Sequence, residues 1–236
     1  MVTKHSDTNQ PTTTMESQGT SSRVTMFLAL LTIMGIAAYL LNLTALHFLR
    51  PDVNPVLEPI STYGAVGPYG FLFIAALLGN GLGALALMLG LYLGIAPRGR
   101  SYVGLFFLGL YGVSELMAAI FELDVGGEAT MVGTIHNIVG NISFFAFPIA
   151  VILLSLGMGK DERWRSFRIP ALTLAGIVVL TVVLTMVGFN IGIGFGVTQR
   201  LANLAVMLWM LVVALHLRSI PTAPLATEPM ELSPVK

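Results

Sequence analysis

Six long apolar runs, separated by short polar segments, dominate the hydrophobic pattern of this chain. They cover residues 24–47, 68–95, 102–122, 133–157, 170–190 and 199–219. Each is about 20 residues or longer, which lets a helix cross the roughly 30 Å hydrocarbon core of a bilayer. Because lipid cannot satisfy backbone polar groups, such runs must be helical. The pattern predicts an all-α, polytopic membrane protein, a bundle of six transmembrane helices.

The two ends of the chain are polar, and we predict that both are disordered tails. Residues 1–23 are rich in Ser and Thr, and residues 220–236 contain several prolines. Segments with so few large apolar residues cannot bury enough surface to offset the entropy lost on ordering. A signal peptide is the rival interpretation of the N-terminal end. The run 24–47 is, however, longer than a signal core of about 7–15 residues, so we expect the first helix to be retained.

Lys and Arg are distributed unequally between the two sides that six spans define. Both termini lie on one side, and the other side holds only Arg50 and Arg200. The side of the termini has the remaining ten basic residues, which are Lys4, Arg23, Arg98, Arg100, Lys160, Arg163, Arg165, Arg168, Arg218 and Lys236. By the positive-inside rule, we expect both termini to be cytoplasmic in a multi-pass protein of the plasma membrane.

Composition excludes several classes of function. The formal net charge is zero and charged residues make up only 10% of the chain, so no basic surface is available for nucleic acid. The absence of cysteine excludes disulfides, thiolate metal sites and cysteine nucleophiles. On the side away from the termini, His47 and His136 are too few for a His-rich zinc site. We expect membrane lipids as partners, no metal and no cofactor, and the oligomeric state stays open.

Polar side chains within the spans gather toward the side opposite the termini. Inserting an ionisable group at membrane depth costs at least about 2.5–3.5 kcal/mol, so each such group is expected to have an interaction partner or a functional role. Glu115 is the clearest case, and we expect Arg200 to pair with Glu115 or Asp124. The one-sided set predicts a polar pocket that opens outward. Its predicted ligand-binding residues are Glu115, His136, Asn137, Asn141, Arg200 and Asn203.

Two further patterns bear on packing. The proline-rich residues 50–68 are predicted to cap the bundle, either as a lid or as a rigid connector. The second span contains two pairs of glycines four residues apart, which permit close approach of neighbouring helices and predict a central position in the bundle. These glycines are Gly79, Gly83, Gly90 and Gly94.

Short motifs in a fixed order resemble a known family. They are Ile60-Ser61-Thr62-Tyr63-Gly64 after the first span, an acidic turn ending at Asp124 and followed by Thr130, Gly133 and His136, and Gln199-Arg200 at the start of the last span. In a six-span chain, this order resembles the bacterial membrane family called domain of unknown function 998, over about residues 25–218. The resemblance implies a multi-span membrane protein without an established activity. It makes Ser61, Asp124, His136 and Arg200 stronger candidates for functional residues than the other polar residues.

Four functions stay open at this point. The first is an outward-facing pocket for a lipid or small polar ligand, lined by Glu115, His136 and Arg200, with Arg200 able to bind a phosphate or carboxylate. The second is an intramembrane hydrolase with Ser61 as nucleophile, Asp124 as orienting group and His136 as base. The third is a proton-coupled transporter that uses Glu115. The fourth is a structural subunit whose polar groups serve packing alone.

Overall fold

All regular structure in the described part of the chain is helical. The computed structural model describes residues 11–65, 67–188 and 193–220, with side chains from residue 22 onward. Six of its helices are long and apolar enough to span a membrane, which confirms the predicted all-α bundle of six transmembrane helices. The α-helices are α1 (Pro11–Leu49), α2 (Thr62–Ala65), α3 (Gly70–Gly94), α4 (Tyr102–Ile120), α5 (Met131–Met158), α6 (Glu162–Arg165), α7 (Arg168–Gly188) and α8 (Phe195–Ser219).

The first helix is longer than its apolar run. It begins at Pro11, so residues 11–23, which the sequence assigns to a disordered tail, are helical, and the part suited to span a membrane is Ser22–Leu49. Proline is tolerated at the first helical position, and an existing helix extends by one hydrogen bond per added residue. Residues 1–10 and 221–236 of the two predicted tails lie outside the described residues.

The six spanning helices form a closed ring in chain order. Helix α1 packs on α3, α3 on α4, α4 on α5, α5 on α7 and α7 on α8, and α8 returns to α1. Helix α3 also contacts α8. From α3 onward, connections of at most ten residues explain this order, since helices joined by few residues pack as neighbours. The connection from α1 to α3 is longer and contains the short helix α2. A ring of six helices turns one face of every helix toward a common axis.

Glycines in α3 allow two neighbouring helices to approach its backbone closely. A side-chain carbon on Gly79 or Gly83 would press against α1, where Gly35 faces both of them. A side-chain carbon on Gly90 or Gly94 would overlap a leucine side chain of α8. The four predicted small-residue positions therefore lie at helix crossings, and α3 contacts α1, α4 and α8, in agreement with its predicted central position.

One end of the bundle, called the basic end, consists of residues 95–101 and 159–167 and is held by a buried acid. Asp161 accepts hydrogen bonds from the backbone N–H of Ala96 at 2.8 Å and from the Arg163 guanidinium at 2.8 Å. Arg163 also donates to the Gly94 carbonyl oxygen at 2.8 Å. Burial raises the pKa of Asp161, but these hydrogen bonds outweigh it and hold the pKa below its ordinary value.

The opposite end, called the cap end, consists of residues 50–65, 67–69, 121–130 and 193–194. Here the proline-rich segment packs on the first turn of α8. The Val197 N–H donates to the Val56 carbonyl oxygen at 3.1 Å, and the Ile60 N–H donates to Gln199 Oε1 at 2.8 Å. The predicted cap therefore exists, and it is fixed to α8 through backbone groups.

The crossing of α1 and α3 gives the first prediction. We expect Gly35→Ala to lower the free energy of unfolding by about 1–3 kcal/mol, because its methyl group would collide with the Gly79 carbonyl oxygen and push the helices apart. Thermal unfolding in detergent micelles measures the effect. Gly176→Ala in α7 is the matched control, since a methyl group there meets nothing within 4 Å and alanine favours a helix. Equal unfolding temperatures for the two variants would contradict the close crossing.

Candidate functional site

A central cavity lies on the axis of the ring, toward the cap end. The empty space in it, counted together with the open solvent at its mouth, is about 650 Å³. All six spanning helices line it, together with Ile60 and Ser61 of the cap segment. Its polar lining residues are Tyr39, Ser61, Tyr111, Glu115, His136, Ser143, Gln199 and Asn203, and its wall also contains Phe73, Leu77, Phe144 and Phe147.

Glu115 is the acidic group of the central cavity. Asn80, which is 1% exposed, donates through Nδ2 to Glu115 Oε2 at 2.9 Å and to the Tyr111 hydroxyl at 2.7 Å. The Ser143 hydroxyl lines the same cavity and is a second hydrogen-bonding neighbour of the Glu115 carboxyl group. No Lys or Arg belongs to the described lining of this cavity. Glu115 is therefore surrounded by neutral polar groups.

Arg200 connects α8 to the cap and to α1. Its Nε donates to His47 Nε2 at 3.0 Å, and its Nη1 donates to the carbonyl oxygens of Glu58 at 3.0 Å and Gly196 at 2.9 Å. Its guanidinium also lies 5.7 Å from the centre of the Tyr63 ring. The planar guanidinium thus binds several acceptors of the cap end at once.

The predicted pairing of Arg200 with Glu115 or Asp124 is wrong. The guanidinium is directed to the cap, where carbonyl oxygens and an imidazole nitrogen satisfy it, and Arg200 does not line the central cavity. Because His47 Nε2 accepts from Arg200, the ring proton must lie on Nδ1, which donates to the Leu43 carbonyl oxygen at 2.7 Å. His47 is therefore a neutral structural partner of Arg200.

Asp124 closes the loop before α5. Its carboxylate accepts hydrogen bonds from the backbone N–H and the hydroxyl of Thr130, both at 2.8 Å. Thr130 is the N-cap of α5 and accepts from the Gly133 N–H at 3.1 Å. The hydrogen bonds from Thr130 lower the pKa of Asp124 below its ordinary value. Asp124 thus stabilises the start of α5 as a carboxylate.

His136 is oriented by a backbone carbonyl group. Its Nδ1 lies 2.7 Å from the Phe121 carbonyl oxygen, and since a carbonyl oxygen only accepts, this nitrogen carries a proton. In the neutral ring, Nε2 is then an acceptor at the cavity that His136 lines. The predicted hydrolytic set is brought together only in part. Ser61 and His136 share a cavity, but Asp124 is bound to Thr130 and does not orient the imidazole.

A side cavity adjoins the central cavity beside α5. Its empty volume is about 490 Å³. The exposed residues Asn137 and Asn141 line it, and Asn141 Nδ2 donates to the Asn137 carbonyl oxygen at 2.8 Å. The two cavities share five lining residues, which are Ser61, His136, Gly140, Phe144 and Gln199.

The predicted ligand-binding residues therefore occupy three different places. Glu115, His136 and Asn203 line the central cavity, where Asn203 Nδ2 donates to the Tyr39 hydroxyl at 2.9 Å. Asn137 and Asn141 line the side cavity. Arg200 lines neither of these two cavities.

Several lining residues have no clear signal in the sequence. Tyr39 of α1 and Tyr111 of α4 count as apolar positions in a hydropathy pattern. Their hydroxyls nevertheless accept hydrogen bonds from Asn203 and Asn80, respectively. Asn80 itself is detectable, since a lone amide at membrane depth needs a partner. Within the described ranges, no three His, Asp or Glu side chains lie close enough together to hold a metal ion.

The contacts of Arg200 give the second prediction. We expect Arg200→Ala to lower the free energy of unfolding by about 3 kcal/mol, because His47 Nε2 and the Glu58 carbonyl oxygen lose a charged donor. Thermal unfolding and the rate of proteolysis within residues 50–65 measure the effect. Arg98→Ala is the control, since Arg98 is 66% exposed in its contact with Glu162 and should cost less than about 0.5 kcal/mol. An equal loss in both variants would refute the role of Arg200 at the cap.

Comparison with known proteins identifies one family. A family model described as "Protein of unknown function (DUF998)" matches residues 33–216, which include every residue that lines the central cavity. Neither the curated proteins nor the solved structures contain a match to this chain. The matched range covers most of the chain and parts of all six spanning helices. The chain belongs to the DUF998 family of proteins of unknown function.

Proposed function

We propose that this protein binds a small amphiphilic molecule, a lipid or a small polar ligand, in the central cavity. The observation that carries the proposal is Glu115, whose carboxyl group lies in a cavity lined by all six spanning helices and without a basic residue in its described lining. We place the protein in the plasma membrane with both termini in the cytoplasm. The ten-to-two distribution of Lys and Arg supports this orientation, which puts the cap end outside.

The polar end of the ligand should complement a carboxylate. An acid at membrane depth needs a partner, and both basic residues of the cap side are engaged elsewhere. Arg50 lies 2.7 Å from Asp52, and Arg200 donates to the Glu58 carbonyl oxygen. A ligand that donates hydrogen bonds or carries a positive charge would stabilise Glu115. An anionic end would be repelled, and the described lining of the cavity contains no guanidinium that could bind it.

The remaining wall of the central cavity suits an apolar or cationic group. The rings of Tyr111 and Phe147 lie 4.6 Å apart, and Phe147 packs against Trp209 with a centroid distance of 5.9 Å. Aromatic faces attract cations and also bury apolar surface. Phe73 and Leu77 of α3 add further apolar surface to the lining of the same cavity. A short amphiphile with an amine end therefore fits both the charge and the wall.

The carboxyl group gives the third prediction. We expect octylamine to bind the purified protein more tightly than octanoate, which has the same chain length and the opposite charge. Glu115→Gln should weaken octylamine binding about tenfold or more, because a charge-assisted hydrogen bond contributes about 1.5–3 kcal/mol. Isothermal titration in detergent micelles measures both ligands.

The matched control is Glu122→Gln. Glu122 follows the same helix but is exposed and does not line the central cavity, so octylamine affinity should stay at the level of the unmodified protein. Equal binding of octylamine and octanoate, or an unchanged affinity in Glu115→Gln, would overturn the proposed site.

A hydrolase is the second candidate function, and the orientation of His136 favours it. Hydrogen bonding of Nδ1 to the Phe121 carbonyl oxygen leaves Nε2 as a base at the cavity that Ser61 also lines. We expect a hydrolase to convert a component of a native lipid extract, and His136→Ala to abolish that product while octylamine still binds. Mass spectrometry of the lipids measures turnover. A product that forms equally with both proteins would exclude His136 as the base.

A further inference from the structure

We propose that the ligand is an amine-bearing lipid of the surrounding bilayer, whose headgroup enters the central cavity sideways while its acyl chains leave through the side cavity. This inference rests on the proposed function of the central cavity and adds the class of ligand and its route. Three observations support it, and each concerns the surface of α5.

The first observation is the open junction between the two cavities. Gly140 lines both cavities, and a side-chain carbon added at Gly140 would meet nothing within 4 Å. His136 and Gln199 border the same junction. The empty space of the central cavity therefore continues past Gly140 to the outer surface of α5, where the neck of a lipid could lie.

The second observation is a polar edge on the outer surface of a membrane-spanning helix. Asn137 and Asn141 are exposed and line the side cavity. Asn141 is ten residues beyond the start of α5 at Met131, or about 15 Å along the helix. Polar side chains that face hydrocarbon are costly, so an exposed pair at this depth calls for a polar partner. A headgroup that passes between bilayer and cavity would provide one.

The third observation is an apolar groove that begins where the polar edge ends. Asn141 also lines a groove between α4 and α5, with an empty volume of about 690 Å³. Its other lining residues are Phe107, Leu110, Ile138, Ile142, Phe145 and Ala146. From Glu115 through Asn141 to this groove, the lining changes from acidic to neutral polar to apolar. The same order from headgroup to acyl chain is found in a lipid.

The position of Glu115 is compatible with a headgroup. Glu115 is five residues before the end of α4 at Ile120, or about 8 Å along the helix. The cap segment lies over this end, because Ile60 is hydrogen-bonded to Gln199 and both line the central cavity. A headgroup at the level of the bilayer surface would need only a short lateral shift to reach Glu115.

The test fills the side cavity beside the junction and compares two probes. The probes are palmitoyl-oleoyl phosphatidylethanolamine, whose chains need the side cavity, and octylamine, which is small enough to lie within the central cavity. Asn141→Ser, Asn141→Leu and Asn141→Trp form a graded series at a residue that lines the side cavity and the apolar groove but not the central cavity. We expect retention of the phospholipid to fall stepwise along this series, to a tenth or less in Asn141→Trp, while octylamine affinity changes less than threefold. Native mass spectrometry measures the phospholipid, and titration measures octylamine.

Gly176→Phe is the matched control, since Gly176 lies in a spanning helix with open space and lines neither cavity. It should retain both probes. Phospholipid retention in Asn141→Trp equal to that of the unmodified protein would overturn the lateral route and leave the proposed function standing. Loss of both probes in Asn141→Ser would also overturn it, because that variant leaves the side cavity open and polar. Octylamine binding that does not depend on Glu115 would overturn the proposed function itself.

Discussion

The direction of the Arg200 guanidinium determines the chemistry of the whole cap side. It donates to His47 Nε2 and to the carbonyl oxygens of Glu58 and Gly196, so one side chain connects α1, the cap segment and the first turn of α8. A bidentate pair with Glu115 would have produced a neutral, closed bundle interior. Because the cap uses the guanidinium instead, the carboxyl group of Glu115 is left to face the cavity.

The closed ring explains why a cavity exists at that place. Small residues bring α1 and α3 into contact at Gly35 and Gly79, so the ring is tight where glycines face each other. Elsewhere around the axis, large side chains such as Tyr39, Tyr111 and Phe147 line the cavity. Their hydroxyls and rings do not fill the axis, and a cavity remains in which each helix contributes at least one residue.

The sequence predicts features that depend on local properties, but it does not predict which groups form hydrogen bonds with each other. The six spans follow from run length and hydropathy, and Glu115, His136 and Asn203 follow from polar residues placed at membrane depth. The partner of Arg200 does not follow, because backbone carbonyl oxygens have no signature in a sequence. The roles predicted for Asp124, as a partner of Arg200 or as the group that orients His136, do not follow either. Its hydrogen bonds to Thr130 belong to a helix cap, and in sequence such a cap resembles many surface turns.

The contacts of the polar groups distinguish a role in packing alone from a role in ligand binding. A role in packing alone would call for polar groups that satisfy one another, as Asp161 and Arg163 do at the basic end. The central cavity is different, because Glu115 faces it with the neutral partners Asn80 and Ser143, and no Lys or Arg belongs to its described lining. An acid at membrane depth beside an open space is costly for an empty bundle when no basic group pairs with it. A bound polar headgroup offsets that cost, which is why we favour a ligand over a purely structural role.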